Sequence, residues 1–353
     1  MQRALQQRSS ATPFRSFSKS QKHNGRLVAV RCTAQAAATA DKAKLFEELK
    51  ESCAAFKKAP PSMKLEFSAD ILSALKDLQA AAALPKWGCE SPEAQAGEEQ
   101  AGGFAGPSAR RNVFMGELKQ MGIKAPDQIA TPSVRNDSAF LFTVVGVCSV
   151  AAVLLGQLPG DWGFFSSYLT GAIVLVVLAV GSTAPGLLQV FIDKFSQVFP
   201  DYRERVVAHE AAHLLIGYLM GVPVTSYNLG IGQEHVEFAE VKIQARIITR
   251  DLSDAEIDAL AVVAVAGIAA EGLKYEEVMG QTADLFDLQR ILLRSSSKLS
   301  NVQQQNITRW AVWRAAALLK KYSAEHQAVQ EALVRGDSVD EIVKAIEAVP
   351  AKQ

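Results

Sequence analysis

The sequence predicts a mainly helical protein: a hairpin of two transmembrane helices, then a helical domain with a small β element. Three observations predict it. Residues 138–160 and 162–192 contain no charged side chain. After Pro200, apolar residues recur at helical spacing between capping signals. That part opens with "VVAHEAAHLLIGYLMG", residues 206–221, an apolar helix carrying two histidines and a glutamate.

The elements follow in chain order. Residues 1–40 hold no acid, but they carry seven Lys and Arg among several serines. A basic, Ser-rich start without an apolar h-region reads as an organelle transit peptide rather than a secretory signal. "VAVRCTAQAAA" is similar to plastid processing sites, so residues 1–32 are expected to be a plastid transit peptide cut near Cys32. A mitochondrial address is the competing reading.

Residues 41–89 form an N-terminal helical region. Leu45, Leu49, Cys53 and Phe56 repeat at helical spacing, as do Phe67, Ile71, Leu75 and Leu78, with the breaker "APPS" between them. No chemistry is visible there, so an interaction helix pair is expected. Residues 90–109, "ESPEAQAGEEQAGGFAGPSA", read as a flexible linker.

The hairpin occupies residues 138–192, with helices over about 139–158 and 166–188. Each run has the roughly 20 apolar residues needed to cross about 30 Å of hydrocarbon. The connector "QLPGDWG" is short, and Trp162 and Phe164 suit an interface. Only Asp161 is charged at the tip, whereas Arg110, Arg111, Lys119, Lys124 and Arg135 precede the hairpin and Lys194, Arg203 and Arg205 follow it. Positive charge stays on the side of synthesis or import. Both soluble parts are therefore expected to face the stroma from a thylakoid or inner-envelope membrane, or the matrix from the mitochondrial inner membrane.

The domain at 200–350 predicts helices at about 202–220, 254–272, 282–297, 302–323, 325–335 and 339–348. Capping boxes stand at Ser253–Glu256 and Ser338–Glu341. "VPVTSYNLGI" predicts one or two short strands.

Composition removes several functions. Lys plus Arg and Asp plus Glu are both 37, which gives no nucleic-acid footprint. The four cysteines, Cys32, Cys53, Cys89 and Cys148, form no C-x-x-C pair. No Gly-Lys dipeptide occurs, so no Walker A loop and no ATP site are expected.

His209 and His213 are four residues apart, one turn apart on one helix face, with Glu210 beside the first. This is H-E-x-x-H: two imidazoles hold a zinc ion and the glutamate works on a water. Such a site needs a third donor. Gly and His at 216 and 219 would give one subclass, but the residues are Ile216 and Leu219. His235, Glu271 and Asp284 all remain chemically open, with Asp287 one turn beyond.

"HEAAHLLIGYLMG" followed by "AGIAAEGLKYEEVMGQTADL" resembles the protease domain of the FtsH-type membrane zinc metalloproteases. The resemblance covers residues 200 to about 325 and none of the first 130. It implies zinc held by His209, His213 and Asp284, with Glu210 as base and the Glu271 helix as support. Ala212 stands where the family has Gly, and the family's ATPase module is missing between membrane and protease. What is implied is a stand-alone chloroplast FtsH-like protein, a zinc endopeptidase acting on unfolded or membrane-proximal proteins. Partners would be those substrates, a second copy of the chain, or a complete FtsH-type protease. The alternative is a non-proteolytic assembly or scaffold factor that retains the fold.

Overall fold

The computed structural model describes residues 41–60, 63–95, 109–129, 135–196, 199–230, 235–239, 252–279 and 281–350. The expected transit peptide, and most of the expected linker, lie outside the described residues.

The described chain is mainly helical. Helix α1 covers residues 41–58. Then come α2 (Lys64–Ala80), α3 (Met115–Gln120), α4 (Arg135–Leu155), α5 (Asp161–Thr183), α6 (Pro185–Ser196) and α7 (Tyr202–Leu219). Strands β1 (Val224–Asn228) and β2 (His235–Phe238) pair antiparallel. Helices α8 (Asp254–Ala264), α9 (Ala266–Lys274), α10 (Gln281–Leu293), α11 (Asn301–Lys321), α12 (Ser323–Arg335) and α13 (Val339–Ala348) complete the chain.

From Val207 on, helix α7 is buried on every side, as its run of Ala, Leu, Ile and Val requires. Two cores meet on it. Ala212, Ile216 and Met220 face a core built with α3 and α8 to α11. Val207, Ala211, Leu214, Leu215 and Tyr218 face a second core built with α1, α2, α12 and α13. The partner of the two N-terminal helices is thus this chain itself, and their apolar stripes, Leu49 and Phe56 with Ile71 and Leu78, lie inside the second core. The segment after α2 also closes α7. Its Gly88 and Glu90 N–H groups donate to the Tyr218 and Leu219 carbonyls at 3.1 and 3.0 Å, satisfying helix-end acceptors.

The expected linker does not begin at residue 90. Glu90 is buried and accepts from Arg314 Nη2 at 2.7 Å, Lys321 Nζ at 2.5 Å and Tyr322 Oη at 2.9 Å. Three donors on α11 and just beyond it therefore hold this end of the segment.

Helices α4 and α5 pack on each other, and both are long and apolar enough to cross a membrane. Their bounds differ from the expected ones. Helix α4 ends three residues earlier than expected and α5 starts five residues earlier, at Asp161, where Gly160 takes φ +71° and closes the turn. Helix α5 stops at Thr183 because Ala184 precedes a proline and leaves the helical region, at φ −143° and ψ 65°.

The expected helix over 254–272 is two helices. Val265 breaks it, at φ −104° and ψ 12°. The helix expected to reach 297 ends at Leu293, where the chain turns and Ser295 pairs with Leu252 in an isolated bridge. The Ser253–Glu256 and Ser338–Glu341 boxes form, and Ser300–Gln303 adds a third at α11.

Candidate metal centre

His209 and His213 project from the middle of α7, where both are buried. Burial alone would leave four ring nitrogens to satisfy, so each ring's partners define its state. His213 Nδ1–H donates to the Val263 carbonyl at 2.8 Å. That carbonyl lies in the last turn of α8, just before the Val265 break. His209 Nδ1–H donates to Glu271 Oε1 at 2.8 Å. With both Nδ1 atoms protonated, the neutral rings present Nε2 lone pairs inward, and these lie 3.1 Å apart.

Asp284 brings its carboxylate to the same point. It sits in the first turn of α10, where the helix N-terminus favours negative charge. Its Oδ1 is 3.3 Å from His213 Nε2, and its Oδ2 is 3.4 Å from His209 Nε2. The Oδ2 atom is buried without a hydrogen-bond partner. One donor atom from each of the three side chains lies within 4.8 Å of the others. Two imidazole lone pairs and a carboxylate this close repel one another unless a cation, proton or metal, sits among them. Accordingly, burial pushes both imidazoles down, but the charge of Asp284 outweighs it and raises them. Burial pushes Asp284 up, and the two histidines outweigh that and hold it well below the usual carboxylate range.

The donor set also fits a metal. For bonds of about 2.0–2.1 Å, tetrahedral ligands stand about 3.3 Å apart. The three separations here are 3.1, 3.3 and 3.4 Å. Two nitrogens and one carboxylate suit zinc and its transition-metal neighbours better than calcium or magnesium, which take oxygen ligands.

The other expected candidates fall elsewhere. Glu271 is 2% exposed and meets His209 on the Nδ1 side, away from the cluster. Its Oε2 accepts from the Met279 N–H at 3.1 Å and so ties α9 to the turn that leads into α10. His235 begins β2 and is exposed, and its charge reaches Glu210. Asp287 is exposed on the outer side of α10, paired with Arg290 at 3.2 Å.

Glu210 is buried beside the cluster, with Oε2 lacking a hydrogen-bond partner. Burial raises its pKa; the nearby histidines pull it back only in part. A buried carboxylate with a free oxygen is poised to take a proton.

Three contributors escape the motif. The Val263 carbonyl carries no signal in the sequence, since any residue has one. Gly267 does carry one, inside the small-residue run of α9: a Cβ there would stand 2.2 Å from His209 Nε2. Arg205 lies one turn before His209 on the same stripe as both histidines. Its guanidinium is 3.6 Å from Glu271 Oε2 and 2.9 Å from Asp201 Oδ2, and it stacks 3.7 Å over the Tyr275 ring. Arg205 thereby positions the Glu271 carboxylate that accepts from His209.

Compared with family models, curated proteins and solved structures, the chain returned no match.

Proposed function

We propose that the protein is a membrane-anchored zinc endopeptidase of the FtsH type, without an ATPase of its own. The observation that carries this reading is Glu210: a buried carboxylate with an unpartnered oxygen, beside three donors that converge on one point. In this reading His209, His213 and Asp284 hold one zinc ion. Bound there, zinc supplies Lewis acidity and brings the pKa of a water down towards about 7. Glu210 takes the proton of the attacking water and passes it to the leaving amine. Burial, which raises the pKa of Glu210, favours its taking up that proton. Glu271 and the Val263 carbonyl hold the two imidazoles in the Nδ1–H tautomer, so that Nε2 is the donor.

The hairpin supports a membrane location, and the basic, Ser-rich, acid-free first 40 residues support an organelle address. Helices α4 and α5 anchor the chain in a chloroplast membrane, thylakoid or inner envelope, with the mitochondrial inner membrane as the alternative. Substrates are then unfolded or membrane-proximal proteins, reached without ATP or delivered by a complete FtsH-type protease. The lack of any Gly-Lys dipeptide, and so of an unfolding motor, favours a second reading as a non-proteolytic scaffold.

The test uses the full chain in detergent, measuring zinc per chain and cleavage of an unfolded peptide, with and without a chelator. One zinc and chelator-sensitive cleavage are expected. Glu210→Gln should retain the zinc and lose about 10²- to 10⁴-fold in cleavage. Zinc without cleavage in the unaltered protein selects the scaffold; no zinc at all refutes the metal reading.

A further inference from the structure

Helix α6 makes an arrangement that the hairpin alone does not require. Ala184 turns the chain out of α5, and Pro185 opens α6, a position that needs no backbone N–H. Helix α6 packs on both α4 and α5. Near its start Leu188 is buried against the last turn of α5, where a Cβ on Gly181 would stand 3.1 Å from Leu188 Cδ1. Near its end the Phe195 ring meets Phe140 of α4 edge-on, with centroids 5.7 Å apart. Ser196 Oγ accepts from Asn136 Nδ2 at 2.7 Å. Gly181 closes α5 and Asn136 opens α4, so α6 lies across the open end of the hairpin.

Its apolar face is wider than this contact. Leu188 and Ile192, one turn apart, are buried. The adjoining stripe, Leu187 and Phe191, is 68% and 63% exposed. The hairpin on which α6 packs likewise exposes large apolar side chains, with Phe142 79% exposed. Lys194 is exposed in the last turn, as a cation at a membrane surface would be.

We propose that α6 lies in the plane of the membrane interface, with Leu187 and Phe191 buried in lipid. The occupant is lipid because α6 follows α5 after a single residue, packs on both membrane-length apolar helices at their open end, and leaves Leu187 and Phe191 exposed there. An amphipathic helix seated this way sinks its apolar side about 5–10 Å into the headgroup–acyl boundary. It fixes how the soluble domain leaves the membrane, since His209 follows only 13 residues after Ser196. The proposal rests on the membrane reading of α4 and α5 and is independent of the metal.

The experiment places p-benzoylphenylalanine singly at positions 142, 187, 191 and 334 of the full chain, reconstituted in phosphatidylcholine vesicles. After irradiation, lipid adducts are read as mass shifts. Position 334, exposed on α12, is the solvent control. Adducts at 187 and 191 comparable to those at 142, and several-fold above 334, are the expected result. Adducts at 142 without adducts at 187 and 191 overturn the proposal. So does chain-to-chain crosslinking from 187 or 191, which would mean a second copy covers the stripe. Absence of lipid adducts at 142 as well removes the membrane reading, and the proposal with it.

Discussion

Replacing Gly267 with alanine separates local propensity from the needs of the His209–His213–Asp284 cluster. In an ordinary helix interior, Gly→Ala stabilises by about 1 kcal/mol. Here the added Cβ would lie 2.2, 2.3 and 2.4 Å from three atoms of the His209 ring. Ordinary contact begins near 3.4 Å, so ring or helix must move by about 1.2 Å, the difference between 3.4 and 2.2. The ring has little room for this, because Glu271 holds its other side at 2.8 Å and α9 is packed on α7. Overpacking of this kind costs about 1–3 kcal/mol, which cancels or exceeds the propensity gain. Metal distances tolerate only about 0.2 Å, so the shift should remove His209 as a donor. Gly267→Ala is therefore expected to bind zinc far more weakly and to unfold at a temperature no higher than the parent. Gly116→Ala is the control, since nothing lies within 4 Å of its Cβ position. Bound zinc per chain after dialysis against a weak chelator, with thermal unfolding of the apo-protein, reads both effects. A Gly267→Ala protein that keeps its zinc and gains stability would refute the close approach of α9 to His209.

Three further outcomes are expected. Asp284→Ala should lose zinc almost completely while Asp287→Ala keeps it, because only the first carboxylate meets the imidazoles; equal zinc content in the two variants contradicts the geometry. Glu271→Gln should weaken zinc binding by about 10- to 100-fold, the usual loss when a partner of a ligating histidine is removed, and unchanged affinity would assign Glu271 to packing alone. Glu90 gives a pH dependence. Burial pushes its carboxyl up, but the hydrogen bonds from Lys321 and Tyr322 and the charge of Arg314 outweigh this and hold it low. With the folded pKa below the unfolded value of about 4.3, its contribution is complete above pH ~4.3 and fades as pH falls through the folded pKa. Glu90→Gln should cost about 3–5 kcal/mol near neutral pH by leaving Arg314 without its anion, and the gap to the parent should narrow below pH ~4.3. A gap that does not change with pH, followed by chemical denaturation, would show that the Glu90 charge contributes nothing.

What the sequence determined by itself is everything carried by short spacing. Residues i and i+4 share a helix face in any fold, so His209 and His213 were bound to point the same way, with Arg205 one turn before them. The charge-free runs marked α4 and α5, since a bilayer's thickness translates directly into a count of apolar residues. Ser253 and Ser338 marked helix starts because a cap needs only the next three residues. Helix ends were less legible. The break at Val265 lies within a run whose residues all tolerate a helix, and it is seen only once α9 is packed on α7. Which further side chain meets the two imidazoles was beyond local spacing altogether. His235, Glu271 and Asp284 have the right chemistry, at 22, 58 and 71 residues beyond His213. The tertiary structure decided among them, because the Glu271 carboxylate is taken up by His209 Nδ1 and the Met279 N–H, His235 stays exposed, and α10 starts where its first turn carries Asp284 to both Nε2 atoms. It also decided that α1 and α2 pack on the back of α7. An apolar stripe records that a helix must be covered, but the covering surface is set by packing between segments more than a hundred residues apart.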